Sequence, residues 1–284
     1  MLSTSALARA RRVVGTSRRV LASGALSRRE SFVTSAPSPQ TAIDAVPDSW
    51  ASKFPPPLDD TRAGTAELFQ DPRVAWALER LGGVAGKKVV DLGPLEGAHS
   101  YMAEQAGAAS VVGVEANRNA FLKCLVTKEL LNMQRCSFRC GEVGQFLETT
   151  DEQFDVCIAC GILYHMVEPV RLIDLMSRVA SRLIVWTHVF DEPALTNRNL
   201  SGKLTGPQDA DYRGFAHRVY RHSYGLDSRL SGFFGGTQTY STWLPRGELL
   251  RALEHFGWSN IEIGFDEPSH PNGPALALVA SRET

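Results

Sequence analysis

Long apolar runs are absent from this 284-residue sequence. A helix that crosses a membrane needs about 18 consecutive apolar residues, and no stretch of the chain approaches that length. We therefore expect no membrane span. The length suits one large α/β domain with extensions, or two small domains, and a hydrophobic share of 43% is sufficient for a substantial core.

Acidic residues are nearly absent from residues 1–40, which contain seven arginines and the single acid Glu30. A segment rich in Arg, Ser and Ala, whose apolar residues are interrupted by arginines, is typical of an organelle transit peptide. We predict a mitochondrial address, with a plastid address or a disordered basic tail as alternatives. Beyond residue 40 the chain has 23 Lys and Arg against 30 Asp and Glu, a net charge of −7. That charge argues against a large nucleic-acid partner.

Cysteine is also scarce. Cys157 and Cys160 lie in "FDVCIACG", which has the pattern of a buried strand. Side chains three residues apart on a strand point to opposite faces, so these two thiols cannot share one ion. We expect no metal site and interpret all five cysteines as core thiols, namely Cys124, Cys136, Cys140, Cys157 and Cys160.

Strand and helix patterns alternate from Lys87 onward. Before them, residues 41–64, with "FPPPLDD" at their centre, are interpreted as a proline-rich linker that cannot hold a helix. "DPRVAWALERLGG" predicts a helix with Asp71 as N-cap and Pro72 at its first position. The alternation from "KVVDLG" to "SRLIVWTHVF" then predicts five parallel strands with helices on both faces.

The end of the chain departs from this alternation. The strands "NIEIGF" and "ALALVASR" are joined by a turn too short for a parallel return, so they must be antiparallel. We predict a doubly wound α/β domain over residues 65–284, with a mostly parallel seven-stranded sheet and an antiparallel last strand. Residues 191–243 show no clean periodicity and are too long for a plain loop, which predicts a lid or another substrate-side insertion.

Glycines and acidic residues follow the first strands at their carboxyl ends, where open parallel sheets bind ligands. Asp91 ends the first strand, and Gly93 and Gly97 flank the turn into the next helix. Glycines let backbone N–H groups approach a ligand, and a helix N-terminus favours a carboxylate or phosphate. Glu115 ends the second strand, where a carboxylate accepts hydrogen bonds from both hydroxyls of a ribose. Glu142 follows the third strand and is expected near a nucleoside base.

The three-glycine motif of dinucleotide sites is missing. The loop has the pattern G-x-x-x-G, and Leu95 occupies the position of the intermediate glycine. Because G-x-G-x-x-G accommodates a pyrophosphate, its absence predicts a nucleoside ligand without pyrophosphate.

"VVDLGPLEGAHS", "VVGVEAN", "GEVGQFL" and "FDVCIACGILYHMVEP" occur in this order and resemble the class I S-adenosylmethionine-dependent methyltransferases. The likeness includes the closing hairpin and implies a Rossmann-like fold with S-adenosylmethionine as cofactor. It assigns seven positions to the cofactor: Asp91, Gly93 and Gly97 around the methionine part, Glu115 on the ribose, Glu142 and Val143 beside the adenine, and Gly161.

"GILYHM" followed by a proline, together with "STWLPRGELLRALEHFGWSNIEI", looks most like the bacterial tRNA wobble-uridine carboxymethyltransferases within that family. The residues that bind their carboxylated cofactor have no match in this sequence. Because the acidic body disfavours RNA, we prefer a small-molecule acceptor and keep tRNA as the alternative.

Methyl transfer from a sulfonium is an in-line displacement, in which alignment of the reactants can supply about 7–11 kcal/mol. A thioether or thiolate acceptor needs no base, whereas a hydroxyl or ammonium needs one within hydrogen-bond reach. Tyr164 and His165 follow the fourth strand and His188 ends the fifth. These three are the candidate catalytic residues, with capping or packing as the alternative role of the histidines.

The insertion contributes "DYRGFAHRVYRHSYG" and "GGTQTYSTW", in which basic residues alternate with aromatic ones. Guanidinium binds a carboxylate in bidentate fashion, so we predict a small, carboxylate-bearing metabolite that is methylated on O, N or S. A solvated basic face, or a non-catalytic subunit that only binds the cofactor, is the alternative. The candidate substrate-binding residues are Arg213, His217, Arg221, His222, Tyr224, Tyr240 and Trp243.

Overall fold

The computed structural model describes residues 32–46, 49–193, 201–224 and 238–282. Most of the predicted transit peptide lies outside these residues, and it stays a prediction. The chain divides into two units, residues 1–44 and 45–284. In the first, Pro39–Asp44 form helix α1, and Ser38 caps it by accepting the N–H of Thr41 at 3.1 Å. The prediction that residues 41–64 hold no helix is therefore wrong for residues 41–44, because Pro39 stands at the first helical position, which tolerates proline.

The second unit contains a large sheet with helices and a smaller second sheet among its described residues. The helices are α2 (Pro72–Arg80), α3 (Ala98–Gln105), α4 (Arg118–Leu130), α5 (Val143–Thr149), α6 (Pro169–Val179) and α7 (Arg246–His255). The large sheet consists of β1 (Lys88–Leu92), β2 (Ser110–Glu115), β3 (Cys136–Cys140), β4 (Phe154–Cys160), β5 (Ala180–His188), β9 (Ser259–Glu267) and β10 (Ala275–Ser281). The second sheet consists of β6 (Leu204–Tyr212), β7 (Phe215–Ser223) and β8 (Tyr240–Trp243). Within the described part of the chain, every helix is too short or too polar to span a bilayer.

The large sheet confirms the predicted fold class. Its strand order is β3-β2-β1-β4-β5-β10-β9, and β1 to β5 pair in parallel. β10 runs antiparallel to both of its neighbours, β5 and β9. From β1, the chain first adds β2 and β3 on one side and then β4 and β5 on the other. The carboxyl ends of β1 and β4 therefore meet at the topological switch point, where such folds bind ligands.

Hydrophobic cores cover both faces of this sheet. Cys157 belongs to one core, whereas Cys160 packs against the other, as expected for side chains three residues apart on a strand. The expectation of core thiols fails for Cys140, which is exposed at the end of β3. The predicted cap of α2 is confirmed, because Asp71 accepts the N–H of Arg73. Asn117 caps α4 through the N–H groups of its first turn.

Residues 49–66, called here the N-terminal segment, are packed against the domain. Phe54 is 2% exposed and Trp50 is 9% exposed. Their rings begin an aromatic row that continues through Phe69 to Tyr101 of α3, with centroid distances of 5.2, 5.4 and 5.7 Å. The interpretation of this stretch as a linker is therefore wrong, because its aromatic residues are part of the core although its prolines exclude a helix.

The second sheet lies inside the predicted insertion, with the order β6-β7-β8. Its hairpin turn contacts α6 through Tyr212, whose Oη donates to Asp174 Oδ2 at 2.9 Å. At the other end, the N–H of Thr242 donates to the carbonyl of Met166 at 2.9 Å, just beyond β4. The insertion is thus bonded to the domain at both ends, and its predicted action as a lid stays a prediction.

Candidate active site

The loop between β1 and α3, residues 93–97, is held at the carboxyl edge of the sheet by backbone bonds. The N–H of Gly93 donates to the carbonyl of Val114 at 2.9 Å. The N–H of Leu95 donates to Glu115 Oε2 at 3.0 Å, and Glu115 Oε1 accepts the N–H of Asn117 at 2.8 Å. Burial raises the pKa of Glu115, although these hydrogen bonds oppose the effect. The structure thus places this carboxylate directly beside the loop.

Leu95 has the backbone conformation of a glycine. Its φ is +57°, and the two glycines that flank it in the loop, Gly93 and Gly97, have φ values of +70° and +81°. A left-handed conformation costs a residue with a Cβ on the order of 1–2 kcal/mol. The loop therefore keeps the shape expected of a sequence with an intermediate glycine, and the departure from the three-glycine motif changes the side chain more than the backbone.

Gly97 should not tolerate alanine. A Cβ at Gly97 would lie 3.1 Å from the Phe138 ring, whereas one at Gly83, with a similar φ of +78°, would meet nothing within 4 Å. We expect Gly83→Ala to cost about 1 kcal/mol of unfolding free energy from the left-handed backbone alone. Gly97→Ala is expected to cost about 3 kcal/mol, because overpacking adds to that strain. Urea denaturation of both variants measures the difference; equal losses would contradict the packing argument.

Asp91 connects the end of β1 to the first turn of α3. Its carboxylate is 1% exposed and accepts a hydrogen bond from Ser100 Oγ at 2.7 Å. Burial raises its pKa. The structure thus gives Asp91 a contact across the loop of residues 93–97, called here the cofactor loop. The predicted contact of Asp91 with the methionine part of the cofactor stays a prediction.

The remaining predicted cofactor residues lie at neighbouring strand ends. Glu142 caps α5 by accepting the N–H groups of Gly144 and Gln145 at 3.0 and 2.7 Å, and Val143 beside it is buried. Gly161 follows β4 with a φ of +91°. The ends of β3, β2, β1 and β4 are adjacent in the sheet, so the predicted cofactor residues line about 14 Å of one edge at about 4.8 Å per strand.

A cluster of aromatic rings and histidines, called here the ring cluster, lies beyond the ends of β4 and β5. Tyr164 is central: its centroid lies 4.1 Å from that of His165, 4.6 Å from that of His188 and 5.8 Å from that of Trp186. The members are Tyr164, His165, Trp186, His188, His222, Tyr224, Trp243 and His270. The three predicted catalytic residues therefore meet in one place.

The ring cluster borders the cofactor loop. A Cβ at Gly93 would lie 3.5 Å from the side chain of Ile162, and one at Gly161 would lie 3.9 Å from Tyr164 Oη. Gly161 is further bonded to β5, because its N–H donates to the carbonyl of Trp186 at 2.9 Å. These contacts connect the two predicted sites across the ends of β1, β4 and β5.

His188 is held in one orientation. Its Nδ1 lies 3.0 Å from the carbonyl oxygen of Gly273 and 3.2 Å from that of Pro274. A carbonyl oxygen only accepts, so Nδ1 bears the proton and Nε2 of the neutral ring has a lone pair. His188 stacks on Trp243 at 5.2 Å. This arrangement is suited to a residue that accepts a proton.

Three histidines of the ring cluster, His165, His188 and His222, are neutral at pH 7. Burial lowers the pKa of His165 to about 3, aided by His188 and His222. Burial lowers the pKa of His188 to about 4, aided by His270, and that of His222 to about 4, aided by Lys203. Burial also raises the pKa of Tyr164, so its hydroxyl stays protonated.

Several polar atoms of the ring cluster have no partner within the described part of the chain. They are Trp186 Nε1, Trp243 Nε1 and His222 Nδ1. An unsatisfied buried polar group costs about 1–3 kcal/mol, which a bound molecule with matching groups would recover. By contrast, His165 Nδ1 lies 3.0 Å from Tyr224 Oη. No group of three or more His, Cys, Asp or Glu in the described residues is placed to hold a metal ion.

Sequence reasoning did not find an ion-pair group beside the ring cluster. Arg73 binds Asp71 through two bonds of 2.9 and 2.7 Å, and its guanidinium lies 4.4 Å from the Trp186 ring centroid. His99 Nε2 is 3.2 Å from Asp71 Oδ2. Burial alone would raise the pKa of Asp71. The hydrogen bonds from His99 and Arg73 outweigh that effect and hold this pKa well below its usual value. The only signal in the sequence is that the capping aspartate is followed two residues later by an arginine.

Two of the predicted substrate-binding residues lie near the turn of the β6–β7 hairpin, which is the end far from the ring cluster. Arg213 stands at the turn and pairs with Asp174 at 3.3 Å, and His217 Nδ1 bonds the carbonyl of Phe215 at 2.9 Å. His222 lies nine residues beyond Arg213, about 30 Å along the chain at about 3.3 Å per residue. The structure therefore does not bring Arg213 and His217 to the ring cluster.

The other predicted substrate residues lie at the near end of the hairpin. His222, Tyr224 and Trp243 belong to the ring cluster. Arg221 is exposed, and its guanidinium lies 3.9 Å from the ring centroid of Tyr240. The predicted substrate-binding residues are thus divided between the two ends of the second sheet.

Comparison with known proteins agrees with this geometry. Residues 84–206 match the family model described as a methyltransferase domain. No curated protein matches the chain. The solved N-terminal domain of EvdMO1, in the presence of SAH and D-fucose, is similar with a TM-score of 0.66 and 23% identity, over 86% of this chain and 95% of that one. The 1,6-didemethyltoxoflavin-N1-methyltransferase of Burkholderia thailandensis is similar with a TM-score of 0.51 and 15% identity, over 77% of this chain and 79% of that one.

At these identities the solved structures show a shared fold, and the family model describes residues 84–206, less than half of the chain, as a methyltransferase domain. The sheet has the predicted fold class, and the glycines and Glu115 meet at its carboxyl edge. The match of residues 84–206 to a methyltransferase domain, the sheet and the strand-end residues together indicate an enzyme that transfers a methyl group from S-adenosylmethionine.

Proposed function

We propose that the protein methylates a small molecule on a protonated atom, most simply a hydroxyl oxygen, bound at the ring cluster. The observation behind this proposal is His188, whose Nδ1 is fixed on the carbonyls of Gly273 and Pro274. Its Nε2 is thereby kept as an acceptor beside Tyr164. A hydroxyl acceptor needs a base of this kind, whereas a thioether does not.

The residues at the strand ends fit the cofactor. Glu115 offers a carboxylate to the ribose hydroxyls, and the loop between Gly93 and Gly97 lets backbone N–H groups approach the methionine part. Glu142 and Val143 stand where the adenine is expected. S-adenosylmethionine supplies the methyl group, which bonds to the acceptor atom as its bond to sulfur breaks.

The neutral state of the histidines is consistent with a cationic donor nearby. A protonated imidazole at this edge would repel a sulfonium, whereas a neutral ring does not. In the proposed reaction, His188 Nε2 accepts a hydrogen bond from the acceptor hydroxyl. It takes the proton as the new C–O bond forms and later releases it to water. Its lowered pKa is adequate, because a partly methylated hydroxyl is far more acidic than a free one.

The unpartnered groups of the ring cluster indicate what the acceptor offers. Two indole N–H groups, of Trp186 and Trp243, have no acceptor in the described part of the chain. A molecule with several hydroxyl, ether or carbonyl oxygens would satisfy them. If the acceptor bears a carboxylate, as predicted, Arg221 is the arginine that would bind it. Arg213 is paired with Asp174 at the far end of the hairpin.

The small size of the acceptor is supported by the neighbours. The EvdMO1 domain was crystallised in the presence of D-fucose, and the toxoflavin enzyme with 1,6-didemethyltoxoflavin. The likeness to tRNA wobble-uridine enzymes rests on sequence stretches alone, and we keep it as the competing acceptor class.

Incubation of the purified chain with methyl-labelled S-adenosylmethionine tests the proposal. One arm contains a pool of small hydroxylated and carboxylated metabolites, a second contains total RNA, and a third contains no acceptor. We expect label in a small-molecule product of the first arm. Label in RNA alone would support the tRNA alternative, and cofactor binding without any product would support a non-catalytic subunit.

A further inference from the structure

Glu96, in the middle of the cofactor loop, is a buried charge bound to a distant part of the chain. Its side chain is 1% exposed. Oε1 accepts the N–H of Ala51 at 2.8 Å, and Oε2 accepts the N–H of Ser52 at 2.7 Å. Lys123 of α4 completes the set, because its Nζ lies 3.2 Å from Glu96 Oε1 and donates to the carbonyl of Ser49 at 2.7 Å.

The N-terminal segment is also hydrogen-bonded within itself. The N–H of Ala66 donates to the carbonyl of Ala51 at 2.9 Å, and the N–H of Gly64 donates to the carbonyl of Ser52 at 3.0 Å. Trp50 lies under Lys123, whose Nζ is 5.5 Å from the ring centroid. Glu96 thus contacts a rigid partner, so movement of Glu96 would have to break several bonds at once.

This anchoring acts on a strained loop. Glu96 stands between Leu95 and Gly97, both of which have positive φ values. In this conformation the N–H of Leu95 donates to Glu115. A leucine gains nothing from a left-handed backbone, so contacts must hold it there. Leu95 itself is bonded to Glu115 and to Cys124. The four polar contacts around Glu96 and Lys123 hold the next residue of the loop.

We propose that Glu96 is a positioning residue for the cofactor, and that the N-terminal segment is part of the cofactor site through it. The inference rests on the proposed function, because it names what keeps the cofactor loop in its binding shape. Glu96 does not touch the reacting atoms in this proposal. It acts through Leu95 and through the loop backbone.

Glu104 provides a matched control. It is also buried, lies at the end of α3, and accepts two backbone N–H groups, those of Gln134 and Arg135, both at 2.9 Å. Glutamine at either position would turn an NH₂ group toward a backbone N–H and lose one hydrogen bond. Glu96→Gln and Glu104→Gln therefore make the same chemical change, but only the first makes it in the cofactor loop.

Calorimetry with S-adenosylmethionine and hydrogen exchange of the full chain test the inference. We expect Glu96→Gln to raise the Kd about 10-fold or more, since displacement of a positioning group is costly, and to leave kcat at saturating cofactor within about 3-fold. Glu104→Gln should change the Kd by less than about 2-fold, whatever it does to the melting temperature. In the free protein, the amides of Leu95 and Gly97 should exchange faster in Glu96→Gln only.

The outcomes separate this inference from the proposed function. If the wild-type chain fails to bind S-adenosylmethionine, the proposed function fails, and amide exchange still decides whether Glu96 holds the loop. If the wild type binds and Glu96→Gln binds equally well, this inference alone is overturned. Equal losses in both glutamine variants would also overturn it, because they would show a general loss of stability. Should Glu96→Gln not fold, Lys123→Met replaces it, with a smaller rise in Kd expected and no rise counting against the inference.

Discussion

Glu115→Gln is expected to weaken the binding of S-adenosylmethionine about 100-fold or more, since each hydrogen bond to a charged group contributes about 1.5–3 kcal/mol. The carboxylate accepts the N–H groups of Leu95 and Asn117 and would also accept from two ribose hydroxyls. Glutamine has one acceptor oxygen, and its NH₂ group would face one of these donors. Both the ribose contact and the loop conformation are lost together.

The control for this change is Asp155→Asn. Asp155 Oδ2 accepts the N–H of Lys88 at 2.7 Å, at the amino ends of β4 and β1 and hence at the opposite edge of the same sheet. Calorimetry should give a Kd for Asp155→Asn close to that of the wild type. A Glu115→Gln protein that binds the cofactor normally would remove the ribose assignment and with it the cofactor site described above.

His188→Asn is expected to lower kcat by a factor of about 10² to 10⁴, the usual contribution of a general base, without changing the Kd for S-adenosylmethionine. The asparagine amide can still donate to the carbonyl of Gly273, which now accepts from Nδ1, but it cannot take a proton. The kinetic loss therefore reports proton acceptance rather than collapse of the ring cluster.

The pH profile gives a second measurement on the same residue. Burial lowers the pKa of His188 to about 4, so Nε2 is free above that pH and protonated below it. We expect kcat/KM of the wild type to fall as the pH drops through about 4, not near the usual value of about 6.5. This acid limb should be missing from His188→Asn, and its persistence would assign it instead to His222, whose pKa burial also lowers to about 4.

His217→Asn is the matched control, because His217 is also buried and also bonds a backbone carbonyl through Nδ1. It lies at the far end of the hairpin, and its variant should keep kcat within about 3-fold. A large loss in His217→Asn with none in His188→Asn would reverse the roles assigned here and restore the sequence-based prediction for His217.

The sheet and the cofactor edge were predictable because they depend on local order in the sequence. A strand followed by glycines, and acidic residues at successive strand ends, specify the position of Asp91, Gly93 and Glu115 before any contact is known. Parallel pairing then brings those ends together. The prediction needed no knowledge of side-chain packing.

The features that sequence reasoning missed depend on contacts between distant residues. The stretch around Trp50 and Phe54 has no hydrophobic periodicity, because it contains several prolines. Their place in the core is revealed only by the ring contacts that continue to Phe69 and Tyr101. The role of Arg73 beside Trp186 is equally invisible in the sequence.

The second sheet did leave a signal. Phe215, His217 and Val219 are buried in β7, whereas Ala216 and Arg218 are exposed, which is the period-2 alternation of a half-buried strand. The basic residues of this stretch favour a carboxylate-binding group in the sequence, whereas their alternation with buried residues marks a strand. Strand geometry also explains why Arg213 and His222 are far apart, although they are close in sequence.

The position of β10 has a consequence for biosynthesis. Ala275–Ser281 follow all the other described strands in the sequence, yet they pair with β5 on one side and β9 on the other. Until they are available, both neighbours expose unpaired backbone groups, which invite pairing with other chains. A chain from which β10 is missing, or has not yet emerged from the ribosome, therefore has two unpaired strand edges that favour aggregation.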